Sequence, residues 1–157
     1  MEPERHVTMF GPSLAWMNGM VAFQADPTAN QIIGAAIDVH TALGPGLMES
    51  AYQTCLVYEL VHRGLQVVRE SPVPLVYKGQ RIDCGYRIDL LVEGDVIVEV
   101  KNVEKLLPIH TAQVLTYLRL TGARRALLLN FNGVTLKEGL RSYLGQGNRV
   151  PNEDCPE

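Results

Sequence analysis

The sequence predicts an α/β (α+β) domain in which a mixed central sheet is flanked by helices. Apolar residues recur at helical spacing in the first part of the chain, and a block of short segments rich in β-branched residues follows. The last part has the order strand, helix, strand, which is typical of two parallel strands in one sheet. A chain of 157 residues is long enough for one domain with a sizeable core.

Two helices are predicted before the sheet. The first begins at Thr28 and ends where Gly44-Pro45-Gly46 interrupts its helical period. The second is predicted from Leu47 to Arg63, because Gly64 is a favoured residue just after a helix.

Six further elements are predicted after the second helix. They are strands over 65–69 and 73–77, a long strand that ends at Val92, a strand over 96–101, a helix over 109–120 and a strand over 125–131. A right-handed crossover through the third helix makes the last strand parallel to the strand over 96–101.

The domain is predicted to span residues 28–144. Residues 1–27 have no clean period and contain Gly11-Pro12, so a loosely attached arm is predicted there, and residues 145–157 are predicted to form a flexible tail. No apolar run is long enough to span a membrane, and no secretory signal is present, so a cytoplasmic protein without membrane contact is expected.

Composition excludes several classes of function. The net charge of −3 at pH 7 argues against strong non-specific binding to nucleic acid. The three cysteines form no C-x-x-C pair, which is evidence against a disulfide framework and a zinc ribbon. The four histidines form no H-x-x-x-H pair, which removes the usual zinc hydrolase pattern.

A predicted hairpin carries the most informative acidic pair, Asp89 and Glu99. Its strands are joined by Glu93-Gly94-Asp95. A three-residue turn sets Asp89 opposite Glu99, and Lys101 shares a face with Glu99 because side chains two apart on a strand point the same way. Cross-strand neighbours lie about 5 Å apart at Cβ, and facing like charges destabilise a sheet unless a cation lies between them. A divalent metal is the simplest such cation.

A second interpretation of the hairpin stays open at this point. Glu99 and Lys101 also fit the solvated face of a half-buried strand whose other face is lined by valines, with Arg87 and Lys101 neutralising the acids. A loop one residue shorter would also place Asp89 on the opposite face.

Polar residues on two helices belong to the same hypothesis. Glu49 lies at helical spacing with Tyr52 on the core-facing stripe of the second predicted helix. Stabilisation by the helix N-terminus accounts for its position along the helix, whereas a third metal ligand would also account for its face. Gln113 shares a face of the third helix with His110 and Tyr117, a pattern that a polar helix surface also produces.

Five ordered blocks of sequence resemble the GxxExxY proteins, a branch of the PD-(D/E)XK nuclease-like superfamily. They cover roughly residues 30–142 and are, in chain order, Leu43-Gly44-Pro45-Gly46-Leu47-Met48-Glu49-Ser50-Ala51-Tyr52, Gly85-Tyr86-Arg87-Ile88-Asp89, Val98-Glu99-Val100-Lys101, His110-Thr111-Ala112-Gln113 with Tyr117-Leu118, and Leu128-Leu129-Asn130-Phe131-Asn132. Ile88-Asp89 stands where the superfamily name has Pro-Asp.

The resemblance implies a restriction-endonuclease-like α-β-β-β-α-β core with a magnesium or manganese ion at the hairpin. The implied metal ligands are Glu49, Asp89, Glu99 and the backbone carbonyl of Val100. The implied catalytic residues are Asp89, Glu99, Gln113 and Lys101, the last of which assists the attacking water. The implied substrate contacts are Tyr52, Gln113 and Tyr117.

The sequence thus predicts a metal-dependent nuclease that hydrolyses phosphodiester bonds in DNA or RNA. The alternative is a non-catalytic interaction module, or a subunit of a nucleic-acid-processing complex, that keeps the nuclease fold. The slightly acidic chain without an added DNA-reading motif supports this alternative. A homodimer and a larger protein partner both stay open as assemblies.

Overall fold

The computed structural model describes residues 26–146 of the chain. The helices in this range are α1 (Pro27–Leu43), α2 (Glu49–His62) and α3 (Pro108–Thr121), with a 3₁₀ helix at Leu136–Gly139. The strands are β1 (Val67–Pro72), β2 (Leu75–Tyr77), β3 (Gln80–Ile82), β4 (Arg87–Val92), β5 (Val96–Lys101), β6 (Arg125–Asn130) and β7 (Leu140–Leu144). The predicted arm and tail lie almost wholly outside the described residues.

The central sheet has five strands in the order β1-β4-β5-β6-β7. β5 and β6 are parallel, from the pair Val96 and Arg125 to the pair Lys101 and Asn130. The other neighbours are antiparallel. The parallel pairing predicted for these two strands is therefore confirmed. β2 and β3 pair with each other as a separate two-stranded hairpin.

Helices cover both faces of the central sheet. α1 and α2 pack against Val96, Val98 and Val100, and α3 packs against the face that carries Ile97. Successive side chains of a strand point to opposite faces, so Glu99 belongs to the α3 face. The predicted α/β (α+β) class is confirmed, and a mixed five-stranded sheet flanked by three helices is consistent with a restriction-endonuclease-like fold.

The helix ends follow from local chemistry. Asp26 caps α1 by accepting the N–H of Ala29 at 3.0 Å, and Pro27 has the backbone angle that the first turn requires. α3 also begins with a proline and ends at Gly122, whose φ of +69° is the left-handed conformation of a helix C-terminus. No helix among the described residues is both long and apolar enough to cross a membrane.

Several elements differ from the sequence predictions. The strand predicted over 65–69 is β1 at Val67–Pro72, and the strand predicted over 73–77 is the shorter β2 at Leu75–Tyr77. α2 begins at Glu49 instead of Leu47, because Met48 has an extended backbone, with φ −67° and ψ 149°, and the N–H of Leu47 donates to the Tyr52 hydroxyl. The long strand predicted before Val92 is wrong, since Asp83 accepts the N–H of Gly85 at 3.1 Å and this turn separates β3 from β4. β7 was not predicted because its sequence lacks a clear apolar alternation. It forms a strand by pairing with β6.

Candidate active site

The Asp89 and Glu99 side chains lie where the backbone ladder between β4 and β5 stops. Val92 pairs with Val96 and the ladder continues to Leu90 and Val98, which confirms the three-residue turn. Beyond that point the carboxylates replace the ladder: the N–H of Asp89 donates to Glu99 Oε1 at 3.1 Å, and the N–H of Val100 donates to Asp89 Oδ2 at 2.9 Å. The two carboxylates therefore fill the gap between the strands.

Burial makes this acidic pair costly to ionise. Glu99 is 1% exposed and Asp89 is half-buried. Burial, and after it the charge of Asp89, raises the pKa of Glu99 to about 8. Burial also raises the pKa of Asp89, against the opposing effects of the Val100 N–H and of Lys101. The interpretation of Glu99 as part of a solvated face is wrong, because its side chain is almost completely shielded from water.

Lys101 lies two residues beyond Glu99, at the end of β5. It is half-buried and pairs with Asn130 of β6. Its positive charge lowers the pKa of both Asp89 and Glu99, yet it takes part in none of the ion pairs found between residues 26 and 146. The ammonium thus acts on the acidic pair without being committed to a direct salt bridge.

Glu49 is brought to the same end of the sheet by the start of α2. It is half-buried, and its Oε1 accepts the N–H of Asn102 at 3.2 Å. The side-chain amide of Asn102 donates to the carbonyl of Leu47, so the loop before α2 is tied to the segment that leaves β5. Asn102 Oδ1 is the buried side-chain atom of the described chain that has no hydrogen-bond partner. This oxygen is a further acceptor close to Glu49.

Gln113 and Tyr117 form a pair on α3. Gln113 Nε2 donates to the hydroxyl of Tyr117 at 2.8 Å, which leaves the tyrosine proton available for another acceptor. Burial raises the pKa of Tyr117, and the charges of Glu99 and Asp89 raise it further although the bond from Gln113 opposes them. Tyr117 is therefore close enough to the acidic pair to sense its charge.

Tyr52 has a different environment from the one predicted for a substrate contact. Its side chain is fully buried and stacks on Phe131, with ring centroids 4.4 Å apart. Its hydroxyl donates to the carbonyl of Gly44 at 2.5 Å and accepts the N–H of Leu47 at 3.1 Å. These contacts hold the loop before Glu49 in place, and they leave no exposed surface of Tyr52 for a substrate.

Glu70 is a second acidic neighbour of Asp89, and the sequence pattern does not reveal it. β1 pairs with β4 on both sides of this position, through Arg69 and Leu90 and through Ser71 and Ile88. Glu70 itself has a φ of +51°, and its charge raises the pKa of Asp89. No local signal identifies it, because the register between β1 and β4 depends on how the whole sheet packs.

The donor chemistry fits a hard divalent cation with two protein carboxylates. Mg²⁺ often uses one or two carboxylates and completes its coordination with water and phosphate oxygens. In the part of the chain that the structure describes, no three histidine, cysteine, aspartate or glutamate side chains are close enough together to hold a metal ion. The structure thus brings Asp89 and Glu99 into contact, whereas Glu49 bonds to the backbone of Asn102.

Fold and acidic pair together define a nuclease-like domain. The chain belongs to the PD-(D/E)XK nuclease superfamily, because the model of that superfamily matches residues 26–143. Nucleases of this superfamily generally use divalent metals. No curated protein and no solved structure matches the chain.

Proposed function

We propose that this chain is a metal-dependent nuclease of the GxxExxY branch that hydrolyses phosphodiester bonds in nucleic acid. The observation that carries the proposal is the buried contact between Asp89 and Glu99, with the pKa of Glu99 raised to about 8. Two carboxylates in contact lower the stability of a hairpin that has only a structural role. Groups with strongly shifted pKa values are concentrated at functional sites.

Asp89 and Glu99 would hold Mg²⁺ or Mn²⁺, with the Val100 carbonyl and Glu49 as further ligands. The chemistry that such an ion supplies is activation of water and stabilisation of negative charge on the phosphate. Asn102 supports Glu49 through its backbone N–H. Tyr52 contributes indirectly, since its hydroxyl fixes the loop from which Glu49 projects.

The remaining residues act on the water and on the strand. The ammonium of Lys101 orients the attacking water or neutralises the charge that develops on the phosphate. Gln113, half-buried on α3, would position the water or the strand. Tyr117 is 3% exposed and would act from beside the acidic pair, through the hydroxyl proton that it keeps.

A second candidate function is a non-catalytic module, alone or in a larger complex, that keeps the nuclease fold. One observation favours it: within residues 26–146 no set of three metal-binding side chains is gathered. Such a module would bind its partner through the same face and cleave nothing.

The test is an incubation of the protein with single- and double-stranded DNA and RNA, with and without Mn²⁺. We expect cleavage that requires the metal and disappears in Lys101→Ala. Strand binding in Ca²⁺, with no cleavage in Mg²⁺ or Mn²⁺ on any substrate, would establish the module instead.

A further inference from the structure

A groove beside the acidic pair contains basic side chains that the proposed chemistry does not use. It lies between the β2–β3 hairpin and the adjoining ends of β1 and β4, and its volume is about 470 Å³. Arg81 and Arg87 line it, together with Asp83 and the prolines that flank Val73. This volume is within the usual range of ligand sites, about 300–1,000 Å³.

The groove adjoins the acidic pair through β4. Arg87 precedes Asp89 by two residues on this strand, a spacing of about 7 Å along the chain. Next to Arg87, the ring of Tyr86 lies 6.4 Å from the ring of Tyr117, centroid to centroid. A ligand in the groove would therefore reach the carboxylates without crossing the domain.

The basic side chains of this region are exposed to solvent. Lys78, Arg81 and Arg87 appear in none of the ion pairs between described residues. The segment 72–87 contains these three bases and one acid, Asp83, whose carboxylate accepts the N–H of Gly85. In a chain of net charge −3, this is a local cationic surface that complements an anion.

Exposed aromatic rings lie next to these charges along the chain, Tyr77 beside Lys78 and Tyr86 beside Arg87, and neither ring lines the groove itself. Tyr77 is 60% exposed and Tyr86 is 50% exposed. Lys78 Nζ lies 5.4 Å from the centroid of the Tyr77 ring, so an ammonium and an aromatic surface are presented together. Positively charged grooves with exposed aromatic rings bind single strands, because unpaired bases can stack on the rings.

We propose that the groove between the β2–β3 hairpin and β4 binds single-stranded nucleic acid. Arg81 and Arg87 contact phosphates, and Tyr77 and Tyr86 stack on unpaired bases. A groove of about 470 Å³ with few charges suits one flexible strand better than a duplex, whose bases are already stacked. The inference rests on the proposed function in one respect, that the bound strand is cut at the acidic pair.

The first experiment measures the salt dependence of strand binding. Fluorescence anisotropy with a labelled 12-nucleotide DNA strand in Ca²⁺ compares wild type with the double variant Arg81→Gln, Arg87→Gln. Loss of two phosphate contacts should reduce the slope of log K against log salt by about 1.4 and weaken binding about tenfold at 0.1 M salt. The matched control, Arg119→Gln with Arg141→Gln, removes two exposed charges elsewhere and should leave affinity within about twofold.

The second experiment isolates stacking. Tyr77→Leu should weaken binding of the single strand about fivefold or more and leave the salt slope unchanged, because a ring is lost and no charge is removed. Tyr58→Leu is the control, since Tyr58 is 62% exposed on α2 and lies outside the hairpin.

The outcomes separate this proposal from the proposed function. Equal losses in the two double variants, tighter binding of duplex than of single strand, or no strand binding by wild type would each overturn the groove. Cleavage by wild type with unchanged affinity and KM in the Arg81, Arg87 variant would overturn the groove and leave the nuclease standing. Strand binding that depends on the groove, without cleavage, supports the groove and refutes the nuclease.

Discussion

Two clusters of buried charge lie along the paired strands β5 and β6, and their carboxylates respond to burial in opposite ways. At the start of β6, Asp26 is 3% exposed and contacts Arg124 and Arg125, with 2.7 Å between Arg125 Nε and Asp26 Oδ2. Burial alone would raise the pKa of Asp26, but these bonds and the Ala29 N–H outweigh it and lower the pKa. Near the other end of β5, Glu99 is buried beside a second carboxylate and its pKa rises.

The comparison shows that burial alone does not decide whether a carboxyl is ionised. The groups that contact the carboxyl decide it. Asp26 has guanidinium partners and an N–H at the start of α1, so it is a structural anion. Asp89 and Glu99 have each other and a lysine that makes no ion pair among the described residues. Among the described residues, Asp89 and Glu99 lack the direct ion pair that Asp26 has, as expected of a site that takes up a cation.

The largest expected effect is on stability, in the cluster of Asp26 with Arg124 and Arg125. Asp26→Asn keeps a side chain that can cap α1 but removes the charge opposite Arg125, so it should destabilise the domain by about 3–5 kcal/mol in urea unfolding. The exposed pair of Asp38 with Arg63 is the control, and Asp38→Asn should cost less than about 1 kcal/mol. Similar costs for both variants would contradict the structural role of Asp26.

The next effect is on cleavage activity, at the acidic pair of Asp89 and Glu99. Lys101→Met keeps an unbranched stem and removes the ammonium, so it should lower the cleavage rate about 10²- to 10³-fold in single-turnover assays with little loss of stability. Lys105→Met, which changes an exposed lysine just beyond β5, should cleave normally. A Lys101→Met protein with wild-type cleavage would remove Lys101 from the chemical step.

A third effect is the pH dependence of stability in the metal-free protein. The folded state binds the Glu99 proton more tightly than the unfolded state does, so the free energy of unfolding should fall as pH rises from about 4.5 to about 8. Glu99→Gln should flatten this part of the profile and raise stability at pH 8.5, because it removes the buried carboxyl that titrates. Urea unfolding with a chelator present measures both, and identical profiles for the two proteins would refute the prediction.

The smallest effect is stabilisation by metal. Mn²⁺ or Mg²⁺ at ten times its dissociation constant should raise the free energy of unfolding by about 1.4 kcal/mol. Glu99→Gln should lose most of this gain, whereas Asp26→Asn should keep it because its charge is in the other cluster. Calorimetry that detects no binding of Mg²⁺ or Mn²⁺ at millimolar concentration would contradict the proposal that Asp89 and Glu99 hold either ion.

The sequence determines the features that depend on neighbours along the chain. Helical spacing and the glycines and prolines at the ends locate α1 and α3 within one residue, at 27–43 and 108–121. Side-chain alternation and the turn at 93–95 place Asp89 opposite Glu99, because a strand has a period of two and a three-residue turn leaves one register. The superfamily could also be inferred from the sequence, since each of the five motif blocks is a short run of neighbouring residues.

Only the tertiary structure decides which distant residues meet and which side chains lose contact with water. Asp26 meets Arg124 and Arg125, which are 98 and 99 residues away, and Glu70 comes beside Asp89 through a register that no tight turn sets. The family resemblance implies that Tyr52 contacts the substrate, yet its side chain is fully buried against Phe131. Local periods are encoded by adjacent residues, whereas burial and long-range pairing, which shift the pKa values of the acidic pair, arise when all layers pack together.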